Sequence, residues 1–179
     1  MYPQARGFSA IELLVVLAIT GLLIAMAVPS MREHLQNQQM RAALVALQAS
    51  LLLARNRAVH SRQAAVVCPG NPELGCGTGE QWSQGWWAFA DPNGDRAWQA
   101  GEPLLQQAGP AEGVRISSSS ARTRLRFQPN GTAPGSNATL QFCDSRGPRA
   151  GRQLKISNSG RVMRLGPGGD AGAGCAAGN

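Results

Sequence analysis

The longest feature of the hydrophobic pattern runs from Leu13 to Val28 without a charged residue and is closed by Pro29. Between Phe8 and Val28, Glu12 is the only ionisable side chain, and Ser9 and Thr20 are the only other polar ones. A helix needs about 20 mainly apolar residues to cross ~30 Å of hydrocarbon. A core helix of that length would show a polar face, and this one shows none. The stretch therefore predicts a single membrane-spanning helix over residues 8–29. The pattern then changes. Leu44, Leu47, Leu51, Ala54 and Ala58 step at three and four residues, while Arg41, Gln48, Arg55 and Arg62 follow the flank of that stripe. Residues 30–63 thus read as an amphipathic helix whose one apolar stripe lies on a sheet. Pro29 is expected as a kink between two helical halves, since it removes one helical hydrogen bond.

Beyond Arg62 the texture is that of short strands and turns. Ala64–Cys68, Gly85–Ala90, Leu104–Gln106, Val114–Ile116, Arg124–Phe127, Leu140–Phe142, Gln153–Ile156 and Arg161–Leu165 are the expected strands. Several alternate apolar and polar positions with period two, as half-buried antiparallel strands do. The fold class is therefore α+β, with a β-rich globular domain over 64–165 and a Gly/Ala-rich tail over 166–179.

Glu12 sits oddly in an anchor, because an acidic residue inside a membrane helix costs roughly 2.5 kcal/mol or more. The run Arg6-Gly7-Phe8-Ser9-Ala10-Ile11-Glu12-Leu13 resembles the processing site of type IV pilins and type II secretion pseudopilins. That resemblance implies a leader over residues 1–7, cut between Gly7 and Phe8 by a prepilin peptidase, with N-methylation of Phe8. It also implies that Glu12, fifth in the processed chain, pairs with the Phe8 ammonium of a neighbouring subunit in a hetero-oligomeric fibre. Opposite charges in low dielectric each offset the other's burial, and such a pair would set axial register. A positive leader stays inside, so the chain is expected to sit in the inner membrane with everything after Pro29 periplasmic. The globular half carries a second likeness. Trp82, Gly85–Asp95, Phe142–Gly147 and Ile156–Arg161 resemble the GspH/FimT domain of minor pilins and pseudopilins, nearer to the FimT/FimU branch.

Composition narrows the domain further. The four cysteines, Cys68, Cys76, Cys143 and Cys175, are an even set in a domain outside the cytoplasm and read as disulfides, with three possible connectivities. A Cys68–Cys76 bond would close a turn-rich loop, and Cys175 is placed to tether the tail to Cys143. His34 and His60 both fall in the expected helix, so neither zinc nor any cofactor is expected. A calcium-loop spacing does occur, with Asp91, Asn93, Asp95 and Glu102 at positions one, three, five and twelve. Arg96 stands where such a loop needs Gly, however, and the simpler reading is a turn whose Asp and Asn side chains bond their own backbone.

The net charge of +7 is concentrated toward the C-terminal half. From Val114 to Leu165 ten cations face Asp144 alone, a local charge of +9. They are Arg115, Arg122, Arg124, Arg126, Arg146, Arg149, Arg152, Lys155, Arg161 and Arg164. Guanidinium forks suit phosphate and stack on bases, so this half is a candidate polyanion surface. Arg122, Arg124 and Arg126 fall at period two and should share one strand face. Some FimT-branch members bind DNA through a C-terminal Gly-Arg-x-Arg element, and the matching stretch here is Gly160-Arg161-Val162-Met163-Arg164. Its extra residue turns Arg164 to the opposite face from Arg161 if the strand is regular. No nucleophile-and-base spacing or phosphate-loop pattern supports catalysis. The expected function is a minor pilin that enters or primes a type IV pilus, with DNA binding for uptake. A type II secretion pseudopilin meeting protein partners is the alternative, and a membrane-anchored binding domain that never assembles is the third reading.

Overall fold

A computed structural model of the chain describes residues 9–77, 79–119, 122–167, 172, 174 and 175. The expected cleavage pair, Gly7 and Phe8, lies outside the described residues, as does the expected leader. The described part is α+β. One helix, α1 (Ala10–Ser61), is followed by β1 (Ala64–Asn71), β2 (Gly75–Cys76), β3 (Trp86–Asp91), β4 (Leu104–Ala108) and β5 (Arg115–Ser118). Then come β6 (Leu125–Phe127), β7 (Ala138–Cys143), β8 (Arg152–Ile156) and β9 (Val162–Leu165). The chain divides into two compact units, Met1–Asn37 and Gln38–Asn179.

In the first unit α1 opens on Ser9, whose backbone N–H donates to Glu12 Oε2 at 2.8 Å. The third helical residue thus reaches back to the residue before the helix, one half of a capping box. The Thr20 and Ser30 hydroxyls donate to the Val16 and Ala27 carbonyls at 2.7 and 2.8 Å. Both polar groups are satisfied inside the helix, as hydrocarbon would require. Among the described residues α1 is the one helix long and apolar enough to cross a membrane, and none of its most apolar window is buried. Pro29 stays inside the helix and does not end it.

In the second unit the stripe is realised. Met40, Leu44, Leu47, Leu51, Ala54 and Ala58 are buried, and Ala43 and Ser50 join them. All strand pairings are antiparallel. One sheet runs β2-β1-β3-β4, with β6 also on β1; the other runs β5-β7-β8-β9. Both sheets give one face to the same core: Ala65, Val67, Trp86 and Ala88 from the first, Ile116, Leu140, Phe142 and Leu154 from the second. The second face of the first sheet has its own small cluster of Val66, Cys68, Trp87 and Phe89, covered by Cys76 and Trp98. Trp87 stacks on Phe89 with centroids 4.8 Å apart, and Trp98 meets Trp87 edge-on at 5.4 Å.

Two disulfides add covalent ties to the sheets. Cys68–Cys76 closes the β1–β2 turn, and Cys143–Cys175 anchors the tail across 32 positions. Gly172 of that tail lies so near the Pro148 carbonyl that a Cβ there would come within 2.1 Å of it.

One buried polar link spans helix and sheet. Trp86 Nε1 donates to Ser50 Oγ at 2.9 Å, and Ser50 Oγ in turn donates to the Ala46 carbonyl at 3.0 Å. Ser50→Ala should therefore strand a buried indole N–H and destabilise the fold by about 1–3 kcal/mol, read as a lowered urea midpoint of the full chain in detergent.

Candidate polyanion-binding surface

The ten C-terminal cations do not form one face. Arg126, in β6, lies with Nε 3.2 Å from Asp91 Oδ2, whose side chain is fully buried. Arg146 holds Asp144 through Nη2 at 2.5 Å and Nε at 3.1 Å. Arg164 pairs across the ladder with Leu154, which faces the core, and its Nε donates to Gln48 on α1. Arg152 pairs with Phe142 on that same side and is half-buried. Arg115, Arg124, Arg149, Lys155, Arg161 and Arg164 are exposed.

The expected common face of Arg122, Arg124 and Arg126 does not form. β6 is only Leu125–Phe127, so two of the three arginines precede the strand and are freed from its alternation. The third turns to a carboxylate. Arg122 and Arg124 instead line an open cavity of about 400 Å³ with Arg96 and Asp95. A second cavity of about 290 Å³ is lined by Arg122 again, with Lys155, Asn137, Thr139 and Ser157. Arg122 is therefore the shared wall of two adjoining basic cavities. Its backbone is held by the Trp82 indole, which donates to the Arg122 carbonyl at 3.3 Å, and its Nε is buried without a hydrogen-bond partner. The one carboxylate on this path, Asp95, accepts from Ala97 N–H at 2.7 Å and from the Gln99 amide at 2.5 Å. Arg96, Arg122 and Arg124 thus line the first cavity, and Arg122 and Lys155 line the second beside hydroxyl and amide side chains. That chemistry suits a chain of phosphates.

Arg96 was invisible to charge counting along the chain because it lies before Val114, inside the supposed calcium loop. The loop itself corrects that spacing. Asp91 Oδ1 accepts the Gly94 N–H at 2.8 Å, Asn93 Oδ1 accepts the Asp95 N–H at 3.2 Å, and Glu102 Oε2 accepts the Gln99 N–H at 3.0 Å. Each oxygen serves the loop's own backbone, and Arg126 stands beside Asp91 where a cation would go. Among the described residues no cluster of three or more His, Cys, Asp or Glu side chains is arranged to hold a metal ion. Asp91, Asn93, Asp95 and Glu102 shape the segment that carries Trp98 over the aromatic cluster.

The Gly160-Arg161 element has a structural reason for its glycine. Gly160 adopts φ 75°, and a Cβ there would come within 2.0 Å of the Gly131 carbonyl. That carbonyl accepts from Arg55 Nε at 3.0 Å, so the flank of α1, the Gly131 turn and the β8–β9 turn close on one another. Arg161 follows as an exposed residue, while Arg164 faces α1. The structure separates the two arginines of the element.

A long helix with an unburied apolar half, followed by a stripe packed under antiparallel sheets, is the type IV pilin-like fold, and solved structures bear this out. The type IV minor pilin FimU of Pseudomonas aeruginosa aligns with TM-score 0.55 and 23% identity, over 72% of this chain and 90% of that one. The minor pseudopilin EpsH from the Type 2 Secretion System of Vibrio cholerae aligns with TM-score 0.50 and 18% identity, over 72% and 96%. A second EpsH structure gives 0.51 and 16%, over 76% and 99%. No curated protein matches the chain by sequence. The family described as Type II transport protein GspH matches residues 43–160, and the chain belongs to it. Its fold is the one it shares with those minor pilin and pseudopilin structures.

The Asp144–Arg146 pair makes stability depend on pH. Burial pushes the Asp144 carboxyl up, but hydrogen bonds from the Arg146 side chain and backbone, with the charges of Arg146 and Arg152, hold it below its ordinary value. A depressed carboxylate stabilises the fold above the unfolded range, and that contribution is lost as pH falls through the folded value. Urea midpoints of the full chain should fall between about pH 5 and pH 2, and Asp144→Asn should flatten that decline. Glu102, raised chiefly by burial, acts in the opposite sense, favouring the fold while protonated and losing that contribution as pH rises through its raised value.

Proposed function

We propose that the chain is a minor pilin that enters or primes a type IV pilus and binds nucleic acid through the groove of Arg96, Arg122, Arg124 and Lys155. The convergence of these four cations around Arg122, in cavities with one already engaged carboxylate, carries this reading. Contacts of this kind recognise phosphate and not base sequence, so binding is largely non-specific and falls steeply with salt. In this reading a prepilin peptidase cuts between Gly7 and Phe8, Phe8 is methylated, and the chain waits in the inner membrane with its globular unit in the periplasm. Glu12 then meets the Phe8 ammonium of a neighbouring subunit during assembly.

A second reading, a pseudopilin of a type II secretion system, is favoured by the description of the family itself. There the same groove would meet acidic protein partners in place of phosphate.

Two measurements bear on these readings. In mobility-shift titrations of the full chain in detergent, DNA should be retained at low salt and released as salt rises. Arg122→Gln with Arg124→Gln should weaken retention roughly tenfold or more and reduce the salt slope by about two. Absence of any shift at low salt would end the nucleic-acid reading and leave the secretion reading standing. Separately, Glu12→Gln should remove the chain from purified fibres while leaving its membrane level unchanged; equal incorporation would exclude the assembly role of that carboxylate.

A further inference from the structure

The edge where β8 and β9 meet α1 holds a second, separate cluster of guanidinium groups. A cavity of about 380 Å³ is lined by Arg41, Leu44 and Val45 of α1 and by Arg152, Arg164 and Leu165, with Gly166 at its end. Among the described residues no acidic side chain lines it. Arg164 is steadied by its hydrogen bond to Gln48, one helical flank position beyond Arg41. Arg152 Nε is buried with no hydrogen-bond partner among the described residues. The carboxylate that feels the charge of Arg152, Asp144, is already held through two nitrogens by Arg146. Three like charges thus share a partly enclosed groove with one donor left unsatisfied, an arrangement that an incoming anion relieves.

The other walls say which anion. Val45 is 50% exposed and Leu165 37%, so apolar side chains stand open beside the guanidinium groups. Arginine set among open apolar side chains is the composition of a protein interface. A phosphate chain would leave those apolar walls facing a hydrated polyanion, whereas a glutamate lays its methylenes on them and places its carboxylate between the forks. We infer that this cavity receives the carboxylate of an acidic side chain, glutamate by reach, from a neighbouring subunit. The inference rests on the chain's membership of a fibre-forming family and not on DNA binding.

The test uses the full chain in detergent with ¹⁵N-labelled arginine, and hexaglutamate as the probe. The Arg152 and Arg164 Nε–H resonances should move saturably with hexaglutamate, and Arg41→Gln should weaken that response several-fold while the rest of the spectrum is retained. Inorganic phosphate at matched ionic strength should move them far less. A response to phosphate as strong as to hexaglutamate, or no saturable response to hexaglutamate, overturns the inference. In fibres, Arg152→Glu with Arg164→Glu should lower incorporation of the chain while its DNA retention in detergent persists; Arg122→Gln should do the reverse. Loss of DNA retention in the first variant, with incorporation unchanged, would assign this cavity to nucleic acid and overturn the carboxylate assignment.

Discussion

The main core of the globular unit gathers the buried stripe of α1 from Met40 to Ala58 with one face of each sheet. Neither sheet is closed on itself, and each has one face that would be apolar and wet without the helix. Burial of apolar area is worth about 25 cal/mol per Å², non-directionally, so it explains why the sheets cover the helix but not where they stop sliding. The directional contacts do that. The indole of Trp86 is tied to Ser50 from the first sheet, and Arg55 is tied to the Gly131 turn that leads into the second. Gly160 then seats the β8–β9 turn against the same carbonyl. Position along the helix is set by these few polar links, and the groove and the cavity beside β9 inherit their geometry from them.

Charge is sorted by the same contacts. Asp91 and Asp144, whose side chains are almost wholly buried, each hold one arginine of the C-terminal half. Burying a carboxylate is costly unless it is paired and hydrogen-bonded, so those arginines are structural wherever the backbone brings the acids. Of the rest, Arg122, Arg124 and Lys155 lie in cavities with hydroxyl and amide groups, Arg152 and Arg164 line the α1 edge with Leu44, Val45 and Leu165, and Arg115, Arg149 and Arg161 are exposed elsewhere. A bulk count of +9 hides this division between polar and apolar surroundings.

The helix was legible because its signals are local: an unbroken apolar run, then a stripe at three- and four-residue steps. Strand positions were legible for the same reason, down to the last apolar segment before Gly166. The two-residue β2 carried no periodicity to read. What the sequence could not convey was how strands pair and where loops return. Arg126 resembled its neighbours Arg122 and Arg124 until β1–β6 pairing set it beside Asp91, which lies on another strand. Arg96 looked like a defect in a calcium loop because its companions in the groove are more than twenty positions away. Trp98 closes an aromatic cluster only because Asp91, Asn93 and Asp95 fold their segment back over the sheet. The spacing of Arg161 and Arg164 was no better guide, because Arg161 falls in the turn before β9 and is not subject to the strand's alternation.

Glu12 brings the membrane half under the same logic. An ionised carboxylate in an apolar helix would be expensive if nothing answered it, yet in the single chain the Ser9 N–H already donates to it. The first turn also presents the positive end of the helix dipole, which favours an anion there. Its burial is therefore partly offset before any neighbour arrives. A neighbouring ammonium at that level would replace a neutral donor with a charged one, and charge-assisted hydrogen bonds are roughly twice as strong as neutral ones. The gain comes from the exchange of donors alone and is confined to a cation that arrives at the first turn. In the proposed assembly a single carboxylate at this position is suited to set axial register, whereas the same residue a few turns deeper would lack both the Ser9 donor and the helix-end dipole.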